Sequence, residues 1–141
     1  MSSLRTLLRQ RLEWIEDRLM QNAEKNGYGY ISPSTARLYS YLSDEPTPMP
    51  QLAKRLKISR QAVHQLVSEG IQSGFLELCD SPSDKRVKMV KFSAQGSQMS
   101  AVARAEIDQA EQQLIQSIGA ENVEQLRRIL QMPWPQDVPL D

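Results

Sequence analysis

Apolar residues recur at helical spacing from the start of the chain. Leu4, Leu8, Leu12, Ile15 and Leu19 predict one amphipathic helix over the first twenty-odd residues, ending before "NGYGY". "SPSTARLYSYL" supplies Ser32 as a cap and Pro33 at the first helical position, the usual start signal for a second helix. "SDEPTPMP" places three prolines within five residues, which predicts a loop. "QLAKRLK" then predicts a short third helix with Leu52, Ala53 and Leu56 on its inner side.

After "KIS" the pattern restarts. Ser59 can accept a hydrogen bond from an early amide of a new helix. At 100° per residue Val63, Leu66, Val67 and Gly70 share one face, Gln61, Gln65 and Ser68 lie opposite, and Ala62 and His64 sit at the edges. Two helices joined by a turn of about three residues, the second with a hydrogen-bonding outer face, form the helix-turn-helix pattern. Gly70 stands at the centre of the buried face at a cost of about 1 kcal/mol in helix propensity. Either the helix bends there or a large side chain fills the gap.

"GFLELCDSPSDKRVKMVKF" predicts two short strands about a turn, a hairpin wing, with Gly74 ending the preceding helix. Helical spacing returns at Met99, Val102, Ala103, Ala110, Leu114 and Ile118, until Gly119 breaks it. A last helix carries Val123, Leu126, Ile129 and Leu130 and stops before Pro133. The fold class is mainly α with a small β-hairpin wing: a winged helix-turn-helix with additional helices at both ends.

The 141 residues suit one domain with a core of its own. One cysteine, Cys79, excludes an intramolecular disulfide, and with a single histidine no Cys/His zinc cluster can form within one chain. A reducing, cytoplasmic setting is expected. Neither a signal peptide nor a membrane-spanning helix is expected, because apolar runs are short and charge alternates with leucine at the start. No Gly-rich phosphate loop, nucleophile motif or paired carboxylates stand out, which predicts a non-enzyme without a cofactor.

Formal net charge is zero, but it is unevenly distributed. Between Pro50 and Ser93, Lys54, Arg55, Lys57, Arg60, Lys85, Arg86, Lys88 and Lys91 face only Glu69, Glu77, Asp80 and Asp84, an excess of four positive charges. From Ala94 onward Arg104, Arg127 and Arg128 meet seven carboxylates, an excess of four negative charges. A basic middle between a neutral head and an acidic tail points to a polyanion on one face, ordinary solvated surface being the other reading.

These residues meet a known pattern. Leu-Ala-x-x-Leu from Leu52, Ser59-Arg60 at the helix start, Gly74, the wing triplet Asp84-Lys85-Arg86 and Ser93-Ala94-Gln95-Gly96 follow one another without a gap from Leu52 to Gly96. In this, and in the order of its helices, nearly the whole chain resembles the MarR-type winged helix-turn-helix transcription regulators. The resemblance implies a single domain, 1–141. Helices in 1–31 and 94–132 would dimerise, 32–93 would form the DNA-binding lobe, and 133–141 would be a tail.

It further implies that the helix from Ser59 lies in the major groove and that Arg86, held by Asp84, enters the minor groove. Glutamine and histidine can read base edges, and a narrow minor groove attracts an arginine. The residues expected at DNA are Lys57, Ser59, Arg60, Gln61, Ala62, His64, Gln65, Ser68, Asp84, Lys85, Arg86 and Lys88. Ala62 and Gln65 depart from the threonine and arginine of many relatives, which weakens the expected phosphate grip. For His64 a base or phosphate contact stands beside a pH-switch role and a merely exposed polar residue. Cys79 reads as a structural or incidental thiol, the alternative being a redox sensor.

The function implied is sequence-specific binding of double-stranded DNA by a dimeric repressor on a pseudo-palindromic operator. Relatives commonly respond to a small lipophilic or phenolic effector, a ligand class this sequence does not specify. The alternative is a winged helix that binds protein and has lost specific DNA binding. Surplus apolar stripes at Leu4, Leu8, Leu12, Leu114, Ile118, Leu126, Ile129 and Leu130 predict a homodimer. Trp134 would either extend that interface or cap the last helix.

Overall fold

A computed structural model describes residues 1–135. Its elements in chain order are α1 (Leu4–Lys25), α2 (Pro33–Ser40), β1 (Thr47–Pro48), α3 (Met49–Leu56), α4 (Arg60–Gln72), β2 (Leu76–Asp80), β3 (Lys88–Phe92), α5 (Ala94–Ile118) and α6 (Ala120–Gln131). The chain divides into two compact units, one from Met1 to Glu106 and one from Ile107 onward.

In the first unit the expected caps form at Ser32 and Ser59, and Ser3 adds a third: each hydroxyl accepts a hydrogen bond from a backbone N–H three residues on, starting α2, α4 and α1 respectively. Lys57 ends α3 in the left-handed region at φ 56°, where its N–H and that of Ile58 bond back to Lys54 and Ala53. That cap makes the tight turn between α3 and α4.

The proline-rich stretch is not simply a loop. Thr47 and Pro48 pair antiparallel with Val90 and Met89, giving a sheet in the order β1-β3-β2 in place of a two-stranded hairpin. An edge strand tolerates Pro48, which has no N–H to give a ladder. Helix α3 also starts earlier than the proline run suggests, at Met49, because Pro50 occupies the first turn, where a backbone N–H would have no intrahelical acceptor.

The core of this unit gathers Leu38, Leu52, Leu56, Val63, Val67, Leu76, Val90, Phe92 and Met99 from α2, α3, α4, the sheet and the first turns of α5. Tyr39 packs edge-on and tilted against Phe75 and Phe92, with ring centres 6.3 and 5.9 Å away. Two glycines permit close approaches. A Cβ on Gly70 would stand 2.4 Å from Leu76 Cδ1, so a large side chain does fill the gap in α4. A Cβ on Gly96 would stand 2.0 Å from the Phe75 carbonyl oxygen. There Ser93 Oγ accepts from Gly96 N–H at 3.0 Å and donates to the Gly74 carbonyl, locking the start of α5 onto the α4–β2 connection.

Helix α1 has no buried residue; Leu4, Leu8 and Leu12 are exposed in the single chain. Lower on α1, Arg18 and Asn22 bond the two carboxylate oxygens of Glu106 at 3.0 and 2.8 Å. In the second unit Ala110 and Val123 are buried, Arg127 pairs with Glu111 at 3.0 Å, and Ile118, Leu126, Ile129 and Leu130 are exposed. Gly119, at φ 93°, separates α5 from α6. Of the tail, residues 136–141 lie outside the described residues.

Candidate nucleic-acid interface

The outward side of α4 is built by its inward side. Val63 and Val67 are fully buried and Gly70 admits Leu76, which fixes the rotation of the helix about its axis. Arg60, Gln61, His64, Gln65 and Ser68 are then exposed, while Ala62 and Leu66 are half-buried. Leu66, on the apolar face with Val63, Val67 and Gly70, packs half-buried against the core. Residues 60, 64 and 68, and 61 and 65, are one helical turn apart and form two parallel rows of hydrogen-bonding groups.

The wing tip is an ordered turn. Asp84 Oδ1 accepts from the Arg86 backbone N–H at 3.0 Å and from Nε at 3.1 Å, and Oδ2 accepts from Nη2 at 3.2 Å. These bonds, the side-chain ones first, hold the Asp84 carboxyl below the ordinary carboxylate range, so it stays ionised at neutral pH. Arg86 remains 90% exposed although its Nε–Nη2 edge is engaged by Asp84, so it is aimed without being withdrawn from a partner.

Between helix and wing lies a cleft of about 380 Å³ lined by Met49, Pro50, Arg60, Val63, His64, Arg86, Val87 and Lys88. Of the residues expected at DNA, Arg60, His64, Arg86 and Lys88 meet here. Gln61, Gln65 and Ser68 lie further round α4, Lys57 stands at the turn before it, and Lys85 is exposed at the wing tip. Met49 and Pro50 went unnoticed in the sequence because the proline run hid the start of α3. Asp80 was counted only as a charge in the sequence; its place opposite Lys88 in the β2–β3 ladder could have been found by counting back symmetrically from the "SPSDKRV" turn. Cys79 is half-buried opposite Met89. Among the described residues no group of three His, Cys, Asp or Glu could hold a metal ion, and no helix is long and apolar enough to cross a membrane.

A helix-turn-helix followed by a hairpin wing, with long helices outside it, is a winged-helix architecture. The sequence model of the MarR family matches residues 31–87, the segment from the start of α2 to the wing. The solved structure of the transcriptional regulator PA4135 is 20% identical, with a TM-score of 0.70 over 92% of this chain and 94% of that one. Apo wild-type MarR from E. coli is 18% identical, with a TM-score of 0.70 over 94% and 99% of the two chains. A variant of S. aureus MepR bound to an oligodeoxyribonucleotide is 18% identical, with a TM-score of 0.61 over 92% and 94%. No curated protein sequence matches the chain. The resemblance read from the sequence holds: the helix-turn-helix segment matches the MarR family, and the chain has the MarR winged-helix fold.

Proposed function

We propose that this protein is a non-enzymatic, cytoplasmic transcription regulator that binds double-stranded DNA in a sequence-specific way. The observation that carries this reading is the meeting of Arg60 and His64 of α4 with the Asp84-braced Arg86 and Lys88 of the wing across one cleft, with Gln61 and Gln65 exposed further round the same helix. The glutamines and His64 read base edges in the major groove, Arg86 enters the minor groove, and Lys57, Lys85 and Lys88 neutralise phosphates. The oligonucleotide-bound MepR variant supports the assignment by its shared fold.

The working unit is a homodimer. The exposed apolar stripes of α1 (Leu4, Leu8, Leu12) and of the α5 end and α6 (Ile118, Leu126, Ile129, Leu130) are buried against a second copy, together with the half-buried Leu114. Two copies present two α4 helices to half-sites about one helical turn apart, which lets a chain of zero net charge bind DNA. Regulation is by repression, released by a small lipophilic or phenolic effector. Salt-dependent binding to duplex DNA tests the reading: affinity should fall steeply with rising salt, whereas a chain that ignores duplex DNA at low salt would be a protein-binding module.

A further inference from the structure

Three cross-strand or turn ion pairs join the wing's cations to its carboxylates: Arg86 to Asp84, Lys91 to Glu77 and Lys88 to Asp80. They differ in position. Strand alternation puts Asp80 and Lys88 on the same side of the hairpin as Leu76, Val90 and Phe92, and Glu77 and Lys91 on the other. Only Lys88 of the two strand lysines lines the cleft with Arg60, His64 and Arg86. Its Nζ donates to Asp80 Oδ1, and this is the last residue pair of the ladder before the wing loop.

We infer that Asp80 is a specificity-determining residue: its carboxylate competes with DNA phosphates for Lys88 and so restrains the sequence-independent part of duplex binding. The inference rests on the DNA-binding reading. Asp84 aims a cation that remains 90% exposed, whereas Asp80 takes one of the three ammonium donors of Lys88 and offsets the charge it would offer a phosphate. Both partners are about half exposed, at 53% and 55%, so the pair is weak enough for a well-placed phosphate to displace. On a poorly fitting duplex the phosphate is not well placed, and the pair persists. Lys88 then contributes little, and base reading by α4 carries a larger share of the discrimination.

The test measures fluorescence anisotropy with a random-sequence duplex about three helical turns long, across a salt series, on the full chain. Asp80→Asn should tighten binding by roughly two- to fivefold and steepen the dependence of log affinity on log salt by about 0.9 per wing engaged. Glu77→Gln, which removes the same charge from the hairpin's other side, should change affinity by less than half as much. In a Lys88→Gln background the effect of Asp80→Asn should shrink to that of Glu77→Gln. Asp80→Ser should reproduce the gain if asparagine disturbs the hairpin. A gain equal to that of Glu77→Gln, or one undiminished without Lys88, overturns the role of Asp80 and leaves DNA binding standing. Failure of wild type and variants alike to bind the duplex at low salt overturns the DNA-binding reading and this inference with it.

Discussion

Replacing Gly70 by alanine tests how α4 is seated. On propensity alone the change should stabilise the protein, since alanine is better than glycine in a helix interior by about 0.8–1.0 kcal/mol. The packing opposes it. The new Cβ would stand 2.4 Å from Leu76 Cδ1, 2.7 Å from Cγ and 3.3 Å from Tyr39 Oη. Leu76 cannot swing into water: it is 3% exposed and pairs with the equally enclosed Phe92. Overpacking of this kind costs about 1–3 kcal/mol, which leaves a net loss of about 1 kcal/mol. Leu76→Ala alone should cost about 2–5 kcal/mol through its cavity. The two changes relieve each other, so the double variant should be more stable than their sum by about 1 kcal/mol or more. Urea unfolding followed by circular dichroism at one fixed protein concentration measures all four corners. A Gly70→Ala protein stabilised by the full propensity gain, or losses that add within about 0.5 kcal/mol, would refute the close approach of Leu76 to α4.

Arg86→Ala should weaken duplex binding by at least about 1 kcal/mol with an unchanged circular dichroism spectrum, because the side chain is 90% exposed and supports no core contact; unchanged affinity at physiological salt would remove it from the interface. Burial, with a smaller push from the Glu69 carboxylate, raises the Tyr39 phenol to about 12. Its folded value lies above its unfolded value of 10.0, so the stability it contributes is complete below pH 10 and is lost as pH rises toward 12. Tyr39→Phe should flatten that alkaline loss, and an identical alkaline profile would show that another group governs it. Sedimentation at low micromolar concentration should give a dimer, and Leu126→Asp or Leu130→Asp should yield folded monomers, since both leucines are exposed in the single chain. A wild-type monomer, or variants of unchanged mass, would mean that these stripes do not mediate association.

The helices were legible because their signals are local. Ser32-Pro33, Ser59 and Gly119 mark ends, and the apolar spacing of Val63, Val67 and Gly70 fixes which side of α4 is polar. The third strand was not legible, because Thr47 and Pro48 acquire their extended pairing only from β3, some forty residues away, and because proline speaks against a strand anywhere but an edge. The occupant beside Gly70 was likewise a tertiary matter: the sequence showed a missing side chain, and Leu76 fills the space from the strand after the helix. Within the candidate site, Asp84 and Arg86 were legible through the wing triplet. The Asp80–Lys88 pair depends on hairpin register, and the cleft depends on Met49 and Pro50 being helical.

Recovering the genomic fragments that the protein retains in vitro, with wild type and with Gln61→Ala and Gln65→Ala compared side by side, tests most directly whether the exposed side of α4 reads bases. Wild type should enrich a pseudo-palindrome with half-sites about one helical turn apart, and each glutamine variant should shift the preference by about 1–3 kcal/mol at a contacted base pair, while Lys57→Ala weakens all sites alike. Fragments no different from the input pool, or an identical preference for wild type and the glutamine variants, would contradict it.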